Sequence, residues 1–208
     1  MLRIWGRANS VNVRKVLWCC AEIDLPFERL DAGMQFGQND QPAYLAMNPN
    51  GRVPTIEDGD FQLWESNAIV RYLVLRYAPA NPIYPAAPKD RAGVERWLDW
   101  SLTTLQPAER PVFWAYIRTA PDQRDNAVLQ ADMEAVAALW AMLDRQLTGR
   151  KFLETEQFTL ADLVMATYAR RWFGIPEITR PPMPNLERWY GNLEPREGFR
   201  QYISPALS

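Results

Sequence analysis

The sequence predicts two differently built halves, an α/β unit at the N-terminus followed by an all-helical unit. Three observations lead there. The first half alternates short strand-like runs with helix-like periodicity. Pro79, Pro82, Pro85 and Pro88 then recur every third residue, a run that cannot continue a helix and predicts a stiff extended connector. Beyond it strand signals fade, while Leu129, Met133, Val136, Trp140, Leu143 and Leu147 keep the alternating four-and-three spacing of one apolar helical stripe. The expected units are residues 1–79, a Pro-rich linker at 80–88, and a helical unit at 89–208.

In order, Leu2 to Gly6 reads as a strand, and Val13, Val16, Leu17, Cys20 and Ile23 recur at helical spacing. Phe27 to Asp31 follows Pro26 as a second strand. A Gly- and Gln-rich loop runs from Gly33 to Asp40, and Pro42 to Met47 has room for a short helix before the Asn48-Pro49-Asn50-Gly51 turn. Val53 to Glu57 and Phe61 to Trp64 flank Asp58-Gly59, a tight-hairpin signal. Ser66 is placed to cap a helix from Asn67 to Tyr77. The order β-α-β-α-β-β-α is that of a thioredoxin-like fold. In the second half, helices are expected over Arg91 to Leu105, Leu160 to Trp172, Leu186 to Leu193 and around Phe199 to Ile203. Thr159 to Asp162 fits a capping box, with Phe158 and Leu163 as its hydrophobic staple.

Composition narrows the chemistry. With 48% hydrophobic and 23% charged residues, 208 residues can bury a full core. A formal charge of −2 offers no electrostatic footprint for nucleic acid or an anionic membrane, and no apolar run approaches the ~20 residues of a membrane span. Histidine is absent, which excludes a Ser-His-Asp triad or Cys-His pair and removes the commonest zinc ligand; no metal is expected. Cys19 and Cys20 are adjacent and unaccompanied, so no disulfide framework exists, and no hydrophobic leader pattern follows Met1. The expected compartment is the cytoplasm.

Two segments carry chemistry. Asn9-Ser10-Val11-Asn12-Val13-Arg14-Lys15-Val16 joins the first strand to the first helix, and Arg52-Val53-Pro54-Thr55 leads into a hairpin that ends at Glu65-Ser66-Asn67-Ala68-Ile69. With a helical second half and the Phe158-to-Asp162 box, this ordered set resembles the cytosolic glutathione transferases, and among them the serine-type, theta-like bacterial members. The resemblance runs over nearly the whole chain.

It implies a glutathione site built from named residues. Val53-Pro54 is similar to the family's cis-proline site, where the main chain of Val53 would pair with the cysteinyl part of the tripeptide. Glu65-Ser66 resembles the pair that receives the γ-glutamyl end, Ser66 offering a helix N-terminus to the carboxylate and Glu65 accepting from the ammonium. Arg52, Gln38 and Asn50 are candidates for the glycyl carboxylate. Ser10, four positions before Arg14, matches the family's serine: a hydroxyl at a helix start that donates to the sulfur, while the dipole favours thiolate. Asn9 and Asn12 stand close enough to share that role, although Asn12 is expected to cap the helix through its own backbone. Cys20 would lie ~15 Å along the helix from Ser10 and reads as packing, as does Cys19.

Asp99, Thr103, Trp114, Tyr116, Trp172 and Phe173 are candidates for the second substrate's pocket. The implied activity is conjugation of glutathione, as co-substrate, to small hydrophobic electrophiles in detoxification, by a homodimer that contacts through 69–77 and 91–104. Two alternatives remain open at this level. One is another glutathione-dependent reaction, isomerisation or peroxide reduction; the other is a non-catalytic protein-binding module on the same scaffold.

Overall fold

The computed structural model describes residues 1–208. β1 (Leu2–Trp5), α1 (Val11–Glu22), β2 (Phe27–Leu30), α2 (Pro42–Met47), β3 (Thr55–Asp58), β4 (Phe61–Trp64) and α3 (Ser66–Tyr77) form the first half in the expected order. The sheet order is β2-β1-β3-β4. β1 runs parallel to β2 and antiparallel to β3, with Ile4 opposite both Arg29 and Ile56. This is the thioredoxin-like arrangement. The β3–β4 hairpin closes with Asp58 opposite Phe61, so its two-residue loop is Gly59-Asp60, one residue beyond the expected pair; Gly59 takes the positive φ of 65°.

α1 forms because Val13, Val16, Leu17 and Cys20 recur on one face, and all four are buried. It packs against α3 and also against α7 (Leu160–Gly174) of the second half. Gly6 makes the β1–α1 turn fit: its φ is 154°, and a Cβ there would stand 2.4 Å from a methyl of Val13. Both thiols are buried, and burial pushes Cys20 up to about 12 and Cys19 well above its ordinary value. They pack and are not nucleophiles.

The second half contains α4 (Pro88–Trp100), a π-helical turn at Ser101–Leu105, α5 (Gln106–Arg118), α6 (Asn126–Gln146), α7 (Leu160–Gly174), α8 (Pro184–Leu193) and a last π-helical turn at Phe199–Ile203. No helix is long and apolar enough to cross a membrane. The predicted stripe is the buried face of α6. Residues 78–87 differ from the extended connector that the proline spacing predicts. Ile83 and Tyr84 are buried, turn hydrogen bonds run from the N–H of Asn81 and Tyr84, and the Ile83 carbonyl accepts from the Leu160 N–H at 2.7 Å. Apolar side chains between the prolines pull the segment into the core, and one continuous core spans both halves.

The capping box becomes a buried hub. Asp162 is fully buried and accepts four hydrogen bonds: from the N–H and hydroxyl of Thr159 at 2.9 and 3.0 Å, from the Leu153 N–H at 2.9 Å, and from the Trp189 indole at 2.9 Å. Burial raises its carboxyl, and these donors oppose the rise. Asp162→Ala leaves several buried donors unmatched and is expected to lower stability by about 3 kcal/mol or more in urea unfolding. A loss below about 1 kcal/mol would remove the hub from the account of stability.

Candidate active site

A cavity of about 320 Å³ opens between the two halves. One wall is the β1–α1 turn with Arg7, Ser10 and Asn12; a second is the loop before β3 with Arg52 and Val53; the third is helical, from α5 and α7.

Ser10 stands where the chain enters α1. Its backbone is extended, its carbonyl accepts from the Arg14 N–H at 2.9 Å, and its hydroxyl makes no cap bond to the helix. No acidic residue occupies the first turn of α1, so the first backbone N–H groups and the positive end of the dipole have no anion within the helix. Asn12 is the second residue of α1 rather than its cap, and its amide Oδ1 is buried without a partner on the cavity wall. The cap expected of it does not form, because Ser10 holds the N-cap position and Asn12 is already helical. Asn9 does not line the cavity; its amide donates to the Ser208 hydroxyl at 2.7 Å.

The Val53–Pro54 peptide bond is cis. Neither the N–H nor the C=O of Val53 is bonded within the chain. The loop is held from behind: Tyr44 and Asn48 donate to the Arg52 carbonyl at 2.6 and 2.8 Å, and both meet the Thr55 hydroxyl. Arg52 is exposed and lines the cavity. Pro54 is buried behind it. Asn50 is turned back onto Asn48 Oδ1, at 3.1 Å from its N–H, and Gln38 lines a separate cleft beside Trp5 and Tyr44.

At α3 the register differs by one from the expected cap. Glu65 takes the N-cap position with a positive φ of 71°, and Ser66 is the first helical residue. The left-handed turn at Glu65 carries the chain directly from β4 into the helix. Glu65 is exposed and Ser66 buried, and neither lines the cavity. Behind Ser66 lies Lys15, fully buried. Its ammonium donates to Tyr168 OH at 3.0 Å, Ser66 Oγ at 3.4 Å and Asn67 Oδ1 at 3.4 Å.

On the helical wall only Trp114 of the expected pocket residues lines the cavity. Asp99 is exposed and paired with Arg71 at 2.6 Å, and Thr103 is exposed with its hydroxyl on the Asp99 carbonyl. Trp172 is buried against Trp140, Phe173 packs on Tyr190, and Tyr116 lies under Arg124. None of these five lines the cavity, whose helical wall is made chiefly by α5, a helix that the periodicity leaves unassigned. Its cavity residues, including Arg110, Phe113 and Arg118, and Arg171 of α7, were not anticipated. The spacing of Arg110, Trp114 and Arg118, four residues apart, is the signal that marks them. Arg171 pairs at 2.9 Å with Glu109, whose carboxyl is raised by burial against the opposing pull of Arg171.

Burial, reinforced by Arg171 and opposed by Glu65 and Glu109, holds the Lys15 ammonium down to about 7. The unfolded chain keeps this proton to a higher pH, so the penalty of burying the charge is full below about pH 7 and is relieved as pH rises toward the ordinary lysine value. Lys15→Met removes that slope. Between roughly pH 7.5 and 9.5, the wild type is expected to gain stability relative to the variant by up to about 1 kcal/mol per pH unit in urea titrations. Parallel pH profiles of the two proteins would contradict it.

Residues 1–74 match the family model described as the glutathione S-transferase N-terminal domain, and residues 103–197 match that of the C-terminal domain. The chain is 40% identical to glutathione S-transferase GstB of Escherichia coli strain K12, with full coverage of both chains. It is 31% identical to glutathione S-transferase 3 of Zea mays, covering 98% of this chain and 93% of the other. The crystal structure of the theta class glutathione S-transferase from the citrus canker pathogen Xanthomonas axonopodis pv. citri with glutathione bound superposes with a TM-score of 0.94 at 42% identity, covering 100% of this chain and 99% of that one. Two matched domain families and full-length identity at this level, on a cleft where a helix N-terminus and a free main-chain peptide face each other, establish that the chain belongs to the glutathione S-transferase family and is a glutathione transferase.

Proposed function

We propose that glutathione lies along the first-half walls of the cavity with its sulfur at Ser10. The observation that carries this reading is the open N-terminus of α1, with a hydroxyl that caps nothing and no acid in its first turn. A thiolate there gains the Ser10 hydroxyl and the helix dipole, and needs no base from a chain without histidine. The unpaired N–H and C=O of Val53 take the cysteinyl main chain, Arg52 stands near the glycyl carboxylate, and the γ-glutamyl end reaches Glu65 and Ser66 at the start of α3. The sulfur then attacks a small electrophile resting on the exposed ring of Trp114: a carbon–sulfur bond forms, and the leaving group departs with its electron pair. Isomerase or peroxidase chemistry and a purely protein-binding role are less favoured, since neither requires a helical wall so close to the sulfur position.

The protein is inferred to be a cytoplasmic homodimer. Phe61, Trp64, Leu75 and Tyr77 are all more than a third exposed on β4 and α3, an apolar surface of the kind a partner covers. Sedimentation giving a stable 24.0 kDa species at micromolar concentration would contradict the dimer.

Ser10→Ala is expected to leave glutathione affinity nearly intact, raise the bound thiol's pKa, and lower turnover by roughly ten- to a hundredfold. Asn12→Ala is expected to have the smaller effect on both readings. Thiolate absorbance against pH and steady-state rates distinguish them, and the reverse order would hand the sulfur to Asn12. Ser66→Ala should weaken glutathione binding by ~1–2 kcal/mol in titration calorimetry. Unchanged affinity would detach α3 from the γ-glutamyl group.

A further inference from the structure

We propose that the second substrate carries a carboxylate, seated at the Arg110–Trp114–Arg118 stripe of α5. This deepens the reading above and rests on it for the position of the sulfur.

Four-residue spacing puts Arg110, Trp114 and Arg118 on one helix face, and both guanidinium carbons lie 5.1 Å from the Trp114 ring centroid. Stacking holds each planar fork in place without consuming its in-plane N–H donors, the geometry that suits a carboxylate. The cavity lining holds five arginines and no acidic side chain. Of the five, only Arg171 has a side-chain carboxylate partner, Glu109. Arg110 makes no hydrogen bond within the chain, and Arg118 makes one, to the Ser208 carbonyl at 3.4 Å. Arg7 faces them from the β1–α1 turn, and its buried Nε has no partner.

These cations act on one another. Burial, then Arg118 and Arg171, holds the Arg7 guanidinium below its usual range; burial, then Arg171 and Arg110, does the same for Arg118. Glutathione leaves this excess unmatched on the helical wall, because its carboxylates go to Arg52 and α3 and its sulfur to α1. A neutral electrophile would cover the guanidinium groups and strip their water without offering an acceptor. An anionic one satisfies them, and they in turn offset its repulsion from the thiolate. Trp114, 45% exposed, supplies apolar surface beside the cations, so the fitting class is a small aryl or alkyl carboxylate bearing a displaceable halide. The sulfur–carbon bond forms, the carbon–halogen bond breaks with its pair leaving on halide, and the carboxylate is unchanged.

The full-length protein is to be titrated calorimetrically with S-(4-carboxybenzyl)glutathione and with S-(4-carbamoylbenzyl)glutathione, which differ only in charge. The carboxylate conjugate is expected to bind about tenfold tighter or more, with an advantage that shrinks as salt rises. Arg110→Gln, at an exposed position where folding is not at risk, should cut that ratio about threefold or more, and the Arg110→Gln/Arg118→Gln pair should bring it close to one. Equal affinities in the wild type, or a ratio that the variants leave unchanged, would overturn the proposal. Turnover of 4-(chloromethyl)benzoate and its amide separates the two readings. Discrimination between the conjugates with neither halide consumed faults the thiolate assignment, whereas equal binding with both halides consumed faults the carboxylate site alone.

Discussion

The double packing of α1 is the constraint on which the rest of this molecule depends. One helix is core to both halves, against α3 on one side and α7 on the other, so its N-terminus is fixed relative to every wall of the cavity. Two adjacent cations on it point in different directions. The Arg14 guanidinium donates to the carbonyls of Ala8, Ile203, Pro205 and Ala206, tying the β1–α1 turn to the end of the chain. The Lys15 ammonium passes into the core and meets α3 and α7 at Ser66, Asn67 and Tyr168. Neither has a carboxylate in contact, so both rest on neutral acceptors in low dielectric, an arrangement that is unfavourable unless geometry is maintained. The site inherits its rigidity from this requirement.

Much of the architecture was legible in the sequence because its periodicities are uninterrupted. The hairpin, the buried stripe of α6 and the Thr159–Asp162 box each depend on residues within one short window. α5 was not legible: Pro107 opens it and Pro111 lies inside it, and a pattern reading treats both as breaks. The π-helical turn at Ser101–Leu105 runs straight into α5, so both prolines stand within continuous helix, and each removes one main-chain bond that packing outweighs. Without α5 the spacing of Arg110 and Arg118 went unread, and of the expected second-substrate residues only Trp114 falls on the wall. The proline run misled in the opposite sense, since Ile83 and Tyr84 between the prolines matter more than the prolines themselves.

The first-half lining of the cavity was legible for a different reason. Ser10, Asn12, Arg52 and Val53 arrive on the cavity from local motifs, each at the end of a strand or the start of a helix, where position in the chain nearly determines position in space. Lys15 was invisible by the same logic. A lysine within an amphipathic helix is ordinarily a solvated residue, and only the arrival of α7 behind it, from more than a hundred residues away in sequence, encloses it.

The electrostatics of the cavity suit a chain that has no histidine to offer. In the proposed site the sulfur nucleophile is made by the Ser10 hydroxyl and by a field with two sources at different ranges. The α1 terminus acts at contact distance and falls off within a turn. The arginines act from the opposite wall, screened less than surface charges because they converge on a shared recess. Such a wall destabilises the folded chain through self-repulsion, and the structure moderates this in two ways: Glu109 neutralises Arg171, and Phe113 and Trp114 accept guanidinium faces. The neutralisation stops at one pair. Full pairing would have made a more stable wall; with Arg7, Arg110 and Arg118 lacking a side-chain carboxylate partner, the wall keeps its positive field, which the proposed sulfur position would share.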